Sequence, residues 1–291
     1  MRAMVSVHGT VSEAKDAKVS VFDRGFLFGD AVYETGSAYE KCCLFLEEHF
    51  ERFRRSAGKL AIPVPWSDAE LTQELYKVTR AFQEPNLYFR MIVSRGVIDH
   101  VGLDLFENIK PTLVIVAQSL PDLAKLRANG VKLLTSKVVR NSAKAQDPNI
   151  KTSNYLNSLL ALQEVRARGG GDAILCDADG NVTEGTTFSV FGVTKEGKLI
   201  TPALSVGILD SITRRHVLAL AKTKMPAEEG IFNLENFQRC EEVFIVSSVR
   251  EIVPVAEWDG KTYPVYGEKT KALADAFKKE IQTYLTSHAK W

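Results

Sequence analysis

Apolar and polar residues alternate along several short stretches of the N-terminal part of the chain, the pattern of β-strands with one buried face. The pattern predicts a hairpin over residues 4–22, paired strands over 31–38 and 42–46, and further strands over 87–94 and 112–118. The last of these is almost wholly apolar, which indicates a strand buried on both faces.

Two other stretches repeat apolar residues every three or four positions, which is the spacing of a helix. The first predicts a helix over 47–60. The second opens near Ser67, where Glu70 follows three residues later in a capping-box pattern. Residues 24–30 are punctuated by glycines and indicate a loop or a short helix.

After residue 130 the layout changes to hairpins and longer helices. The pattern predicts strands over 131–139 and 242–247, hairpins over 173–183 and 188–201, and helices over 155–168, 211–222 and 268–285. Hairpins and helices without regular βαβ alternation favour an α+β fold. We predict an N-terminal domain over 1–119, an interdomain linker over 120–130 and a larger domain over 131–291.

Composition excludes several classes of protein. The 291 residues suffice for two domains, and 37 basic against 36 acidic residues give a net charge of +1, so neither nucleic acid nor a charged membrane is expected as a partner. No stretch is apolar enough for a signal peptide or a membrane span. The four cysteines suggest neither a disulfide framework nor a metal site, and a reducing cytoplasm is the expected location.

The most informative residue is Lys151, because we expect it at the junction between an extended segment and a helix. Pro148 favours extended geometry before it, and Ser153 or Asn154 is expected to cap the helix. The leucines of that helix are expected to form its apolar face: Leu156, Leu159, Leu160 and Leu162. A lysine at such a junction is either a solvated charge or an amine directed into a cavity.

Several segments offer ligands for an anion. The first N–H groups of the helix beginning near Ser211, those of Ile212 and Thr213, have no intrahelical partner. Ser248 follows an apolar strand, and Arg52 could pair with a phosphate. Each is equally explained by a helix cap, a turn or a solvated charge.

One carboxylate is expected to be partly buried. Glu184 lies between Val182 and Phe188, and a buried carboxylate needs a cationic partner. A lysine, a buried carboxylate and phosphate ligands are together what a pyridoxal phosphate site requires.

The motifs that contain these residues resemble the fold-type IV pyridoxal-phosphate aminotransferases, the group of branched-chain and D-amino acid aminotransferases and aminodeoxychorismate lyase. The matching segments span nearly the whole chain: Asp23 to Glu34, His49-x-x-Arg52, Lys151 before a leucine-rich helix, Thr183-Glu-Gly185, Ser211 to Arg214, and Ser248-x-x-Glu251-Ile-x-Pro254. Each alone is weak, but six in the same order are specific.

The resemblance implies a role for each candidate residue. Lys151 would be the catalytic Schiff-base lysine and Glu184 the partner of the pyridine nitrogen. The remaining cofactor ligands would be Arg52, Ile212, Thr213 and Ser248 on the phosphate and Tyr155 on the ring hydroxyl. It also implies a small α/β N-terminal domain, a larger domain with a β-barrel-like core, and a homodimer.

Substrate preference is less directly indicated. Tyr88, Arg90 and Tyr155 are similar to the branched-chain pattern, with Tyr88 and Arg90 lining the substrate pocket. The segment containing Tyr33 is closer to the D-amino acid enzymes, yet their Arg-x-His clamp would fall near His100 and is not retained.

Two positions depart from the family pattern. The backbone near Val249 is expected to hold the substrate carboxylate, and Arg250 beside it stands where small residues are usual. It is either a second carboxylate anchor or a surface charge. Phe188 and Ser189 replace the small residue and asparagine that are common there.

We therefore expect a transaminase that exchanges amino groups between an L-amino acid, of the branched-chain type, and 2-oxoglutarate. Its partners would be small amino acids and 2-oxo acids. The alternatives are a D-amino acid aminotransferase, an aminodeoxychorismate lyase and a binding module without catalysis.

Overall fold

The structure, a computed structural model, describes residues 2–104 and 109–291. It divides into two compact units. The first comprises Met1–Pro121, Ile150–Asn154 and Thr283–Trp291, and the second comprises Asp122–Asn149 and Tyr155–Gln282. Two segments that follow the predicted linker thus cluster with the first unit, and the domain limits themselves stay a prediction.

The first unit contains a six-stranded antiparallel sheet in the order β2-β1-β6-β5-β3-β4. Its strands are β1 Ala3–Val7, β2 Thr10–Glu13, β3 Ala31–Tyr39, β4 Cys42–Cys43, β5 Leu87–Ser94 and β6 Thr112–Gln118. The limits predicted for β5 and β6 are confirmed. The predicted hairpin over residues 4–22 is too long, because its second strand ends at Glu13.

Three helices belong to this unit: α1 Arg24–Phe28, α2 Leu46–Lys59 and α3 Asp68–Phe82. The predicted capping box is present, since the Ser67 hydroxyl accepts from the Glu70 N–H and the Glu70 carboxylate accepts from the Ser67 N–H. Apolar residues of α2 and α3 pack with those of β3, β5 and β6 in one core cluster. This core packs both long helices against the sheet.

The second unit contains a nine-stranded mixed sheet in the order β12-β11-β10-β13-β14-β7-β8-β9, with β15 paired to β14. Its strands are β7 Val131–Thr135, β8 Asp172–Cys176, β9 Val182–Gly185, β10 Ser189–Val193, β11 Leu199–Pro202, β12 Ala227–Gly230, β13 Glu242–Ser247, β14 Glu251–Trp258 and β15 Lys261–Thr262. The predicted hairpins β8–β9 and β10–β11 are confirmed. Trp258, fully buried, lies in the core of this sheet.

Strand β14 is absent from the sequence prediction, although it is central in the sheet. Pro254, within this strand, lacks an N–H donor and is unusual in a central strand. The structure tolerates it because pairing with the parallel neighbour β7 begins only at Val255.

The remaining helices are α4 Ala124–Asn129, α5 Leu156–Ala167, a 3₁₀ turn at Leu204–Val206, α6 Ile212–Lys222, α7 Leu234–Gln238 and α8 Glu268–Ser287. The last residues of α8, from Thr283, cluster with the first unit. No helix among the described residues combines the length and apolar character needed to cross a bilayer.

The predicted apolar face of α5 is wrong. Leu156, Leu159 and Leu160 are exposed by 68%, 56% and 46%, while Ala161 and Val165 pack in a small cluster with β8. Ala161 and Val165 are fully buried, so the inward face of α5 carries its smaller side chains.

The predicted cap of α5 is also wrong. The residue that caps it is Tyr155, without a side-chain hydrogen bond, rather than Ser153 or Asn154.

Candidate active site

In the first unit, Lys151 is fixed at both its backbone and its side chain. Its N–H donates to the Ser56 hydroxyl of α2 at 3.1 Å, and its carbonyl accepts from the Tyr33 N–H of β3 at 3.0 Å. Thr152 forms an isolated bridge to Val32. These contacts hold the lysine segment as an extra extended stretch beside β3, five residues before α5 begins.

The amine of Lys151 lies against Tyr33. Nζ donates to the Tyr33 hydroxyl at 3.2 Å and lies 4.3 Å from the ring centre. Tyr33 is itself 2% exposed, so its ring has little freedom. The amine is therefore held in one place next to a hydroxyl that can accept or donate a hydrogen bond.

A second cation stacks on the same tyrosine. The Arg90 guanidinium carbon lies 3.7 Å from the centre of the Tyr33 ring, a cation–π contact. Tyr88 and Arg90 are two residues apart on β5 and share a face of the sheet. No carboxylate pairs with Arg90 within residues 2–104 and 109–291. A fixed guanidinium of this kind is suited to bind a carboxylate.

Arg52 forms a bidentate ion pair with Glu34, whose carboxylate is fully buried on β3. Arg52 Nε and Nη2 donate to the two carboxylate oxygens at 2.7 and 2.8 Å. His49 Nδ1 lies 2.6 Å from one of these oxygens and donates to it, since a carboxylate only accepts. Arg52 lies one helical turn before Ser56, which holds the backbone of Lys151.

The pKa values of Glu34 and His49 are both lowered, but for different reasons. Burial raises the pKa of Glu34, but the Arg52 guanidinium and the His49 hydrogen bond outweigh it and hold that pKa well below its ordinary value. Burial lowers the pKa of His49 despite the hydrogen bond to Glu34. The cluster is therefore an ionised carboxylate, a guanidinium and a neutral imidazole.

In the second unit, Glu184 is the third residue of β9 and is 6% exposed. Its Oε1 accepts from Arg140 Nη2 at 2.5 Å, and its Oε2 accepts from the Leu209 N–H at 3.1 Å. The sequence indicated that this carboxylate needs a cation but did not indicate which one. Arg140 was missed because 44 residues separate it from Glu184, and only the pairing of β7, β8 and β9 brings them together.

The start of α6 offers amide donors. The Ser211 hydroxyl caps the Arg214 N–H, and the Ser211 carbonyl accepts from the Arg215 N–H. The N–H groups of Ile212 and Thr213 remain without an intrahelical partner. Both residues are at most 2% exposed, so an anion there would be largely shielded from water.

Ser248, Val249 and Arg250 form the turn between β13 and β14. The Arg250 N–H donates to the Ser247 hydroxyl at 3.2 Å. Its guanidinium donates to the buried Asp172 carboxylate at 2.9 Å and lies over the Phe188 ring at 5.2 Å. Arg250 is thus not a solvated surface charge, and the two departures from the family pattern, Phe188 and Arg250, contact each other.

The two remaining candidate residues are Tyr155 and His100. Tyr155 is half-buried at the start of α5. The His100 imidazole is exposed and lies 2.6 Å from the Asp99 carboxylate. The described residues include no group of three histidine, cysteine or acidic side chains that could hold a metal ion.

The first unit thus brings together Lys151, Tyr33 and Arg90, with Tyr88 on the same face of the sheet and Arg52 paired to Glu34. The second unit contains Glu184 with Arg140, the start of α6, and the turn at Ser248. The functional roles of these residues stay predictions.

A family model described as amino-transferase class IV matches residues 31–258. The chain belongs to this family.

Relatives of this class IV aminotransferase include three kinds of enzyme. A putative branched-chain-amino-acid aminotransferase of Methanocaldococcus jannaschii is 38% identical, over 96% of each chain. An aminodeoxychorismate lyase of Bacillus subtilis is 33% identical, over 97% of this chain and 96% of the relative. A D-alanine aminotransferase of Staphylococcus haemolyticus is 30% identical, over 96% of this chain and 98% of the relative.

Solved branched-chain aminotransferases have the same fold. The enzyme of Thermoproteus uzoniensis, crystallised with norvaline, matches with a TM-score of 0.89 and 28% identity, over 98% of this chain and 96% of the other. The enzyme of Thermobaculum terrenum, solved in its PLP-bound holo-form, matches with a TM-score of 0.84 and 25% identity, over 97% of this chain and 94% of the other.

The comparisons confirm the predicted family, the α+β fold of the fold-type IV enzymes, and the enzyme class. The chain is a transaminase similar to branched-chain aminotransferases. Enzymes of this class act on amino acids and keto acids and use pyridoxal phosphate.

Proposed function

We propose that this transaminase binds pyridoxal phosphate and exchanges amino groups between an L-amino acid of the branched-chain type and 2-oxoglutarate. The observation that carries the proposal is the stack of Lys151, Tyr33 and Arg90. It puts a fixed amine and a carboxylate-binding guanidinium on the same tyrosine ring.

The chemistry of the side chains fits this cofactor. Lys151 supplies the amine, Glu184 a buried carboxylate, and the start of α6 two shielded amide donors. Bound pyridoxal phosphate would supply an aldehyde that reacts with amines and a ring that delocalises the electrons left when a Cα proton is removed.

Lys151 Nζ would be the base that takes the proton from the substrate Cα and returns it later in the cycle. The Tyr33 hydroxyl, 3.2 Å away, would orient the amine for this transfer. Because the Lys151 backbone is bonded to Ser56 and Tyr33, the amine would return to the same position in each turnover.

The other residues would bind and orient. Glu184 would accept a hydrogen bond from the protonated ring nitrogen, and Tyr155 would bond the ring hydroxyl. The phosphate ligands would be Arg52, Ser248 and the N–H groups of Ile212 and Thr213. Such donors suit an anion because charged donors and free amides both stabilise it.

Substrate selection would depend on the face of β5 that bears Tyr88 and Arg90. Arg90 would bind the distal carboxylate of glutamate and 2-oxoglutarate, while Tyr88 and Tyr33 would contact an aliphatic side chain. The backbone near Val249 would hold the substrate α-carboxylate.

Two alternatives are each favoured by a relative. A D-amino acid aminotransferase is supported by the D-alanine enzyme of Staphylococcus haemolyticus and by the position of Tyr33. An aminodeoxychorismate lyase is supported by the Bacillus subtilis relative. Against the first stands the absence of an Arg-x-His sequence near His100.

A substrate panel tests the proposal. Purified protein with pyridoxal phosphate should transaminate L-leucine with 2-oxoglutarate, and Lys151→Ala should abolish this. Arg90→Met should raise the KM for 2-oxoglutarate roughly tenfold or more, through the loss of a bidentate ion pair.

The matched control is Arg80→Met, which removes an arginine that lies over Tyr76 on α3. It should leave both substrates unaffected. Activity confined to D-alanine, or pyruvate release from aminodeoxychorismate without an acceptor, would overturn the proposal in favour of the corresponding alternative.

We also propose that the enzyme is a homodimer, as the family resemblance implies. The support is the row of exposed leucines on α5, since soluble monomers rarely leave apolar side chains clustered at a surface.

A further inference from the structure

Arg140 is held in place by its own surroundings. Its N–H donates to the Cys176 carbonyl at 2.8 Å, and its Nη1 donates weakly to the Asn157 side chain at 3.5 Å. Asn157 is in turn bonded to the Val139 carbonyl at 2.8 Å. The Arg140 backbone is therefore fixed by β8, and its guanidinium lies against Asn157 of α5, independently of any ligand.

The pair between Arg140 and Glu184 is shielded from water. The side chains are 16% and 9% exposed. Removing one member of such a pair leaves a buried charge without compensation, which is strongly destabilising. Glu184 is consequently held as an oriented carboxylate before any cofactor binds.

The carboxylate still has room for another hydrogen bond. One oxygen accepts from Arg140 and the other from the Leu209 N–H. Two carboxylate oxygens offer about four lone-pair sites, so further acceptor capacity remains. A protonated ring nitrogen would then share the negative charge of Glu184 with Arg140.

We propose that Arg140 is a positioning residue that orients Glu184 and, by sharing its charge, weakens the hold of Glu184 on the ring-nitrogen proton. This inference rests on the proposed function, in which Glu184 is the partner of the cofactor ring. Glu184 would then have two cationic partners, the ring nitrogen and Arg140. Arg140 would thereby tune how strongly the ring withdraws electrons.

The coupling is tested first without cofactor. Arg140→Gln should lower the Tm of the full-length apoprotein by roughly 5–10 °C. Most of that loss should disappear when Glu184→Gln is also present, because no buried charge is then left unpaired. A loss that is equally large in both backgrounds would overturn the coupling.

A matched control is Arg168→Gln, which removes an arginine paired with Glu164 one helical turn earlier on α5. Its effect on the Tm should be small and should be the same with or without Glu184→Gln. If Glu184→Gln rescued this variant as well, the rescue would not be specific for Arg140 and the inference would fail.

The tuning is tested by the ¹⁵N NMR shift of cofactor labelled at the ring nitrogen. Arg140→Gln should move the shift towards full protonation, Glu184→Gln should move it the opposite way, and Arg140→Lys should restore the wild-type value. A purely structural role of Arg140 predicts no change, which would refute the inference.

The two hypotheses fail in different ways. If the wild-type protein takes up no pyridoxal phosphate, the proposed function is wrong, whatever the Tm cycle shows. If it binds the cofactor and transaminates but Arg140→Gln leaves the ¹⁵N shift unchanged, only the role of Arg140 is wrong.

Discussion

Tyr33 and Glu34 are neighbours in the sequence but serve opposite faces of β3. Side chains alternate along a strand, so Tyr33 shares the face with Arg90 while Glu34 turns towards α2 and meets Arg52. One step along the chain thus separates the residue that contacts Lys151 from the one that holds Arg52. A slip of one residue in the β3–β5 register would exchange them.

The Glu34 cluster makes a prediction about pH. Because the pKa of Glu34 is lowered on folding, its contribution to stability is present above the unfolded-state pKa and is lost as the pH falls towards the folded-state value. We expect the free energy of unfolding to drop progressively as the pH falls below about 5.

Glu34→Gln should lower the free energy of unfolding by about 3–5 kcal/mol at pH 7, since it leaves Arg52 buried without its carboxylate. It should also flatten the pH dependence. Urea titrations across the pH range measure both effects. Glu13→Gln, at an exposed pair with Lys15, is the control and should behave like the wild type. An unchanged slope in Glu34→Gln would contradict this account.

Among the helices, a prediction from the sequence is correct where the stabilising contacts join residues close together in the chain. The capping box of α3 needs only Ser67 and Glu70, three residues apart, and it forms as predicted. The apolar face of α5 failed because which side of a helix is buried depends on its neighbours. Its leucines satisfy the helical pattern but face away from β8.

The capping box at the start of α3 should contribute to the stability of the protein. Ser67→Ala should destabilise the protein by about 1 kcal/mol, because an N–H of the first turn loses its acceptor. The decrease would be measured as a lower urea midpoint with an unchanged m-value. Ser287→Ala, at the C-terminal end of α8, should have no comparable effect. Equal losses in the two variants would exclude the cap as the cause.

At the scale of the whole molecule, the exposed leucines of α5 predict self-association. Replacing Leu159 and Leu160 with aspartate should convert the proposed homodimer to a monomer in light scattering coupled to gel filtration, because burial of two charges would oppose association. Ile231→Asp, at an exposed apolar residue elsewhere in the second unit, should remain dimeric. A monomeric wild type, or a dimeric double variant, would refute the proposed role of this face.

The sequence alone determined the limits of β5, β6 and β13, the helices around Phe50 and Ser67, and the identity of Lys151 as the candidate catalytic residue. These follow from periodicity, capping and ordered motifs. The limits and helices depend on residues close together in the chain, and the assignment of Lys151 depends on the order of six motifs along it, so all of them are visible before folding.

The contacts of the functional side chains, by contrast, depend on the folded structure. It paired Glu34 with Arg52, stacked Arg90 on Tyr33 and brought Arg140 to Glu184 across 44 residues. It also admitted Pro254 into a central strand and turned the α5 leucines outward. The physical reason is that hydrogen bonds, ion pairs and burial depend on distance in space, which strand register and helix packing set and which no local pattern encodes.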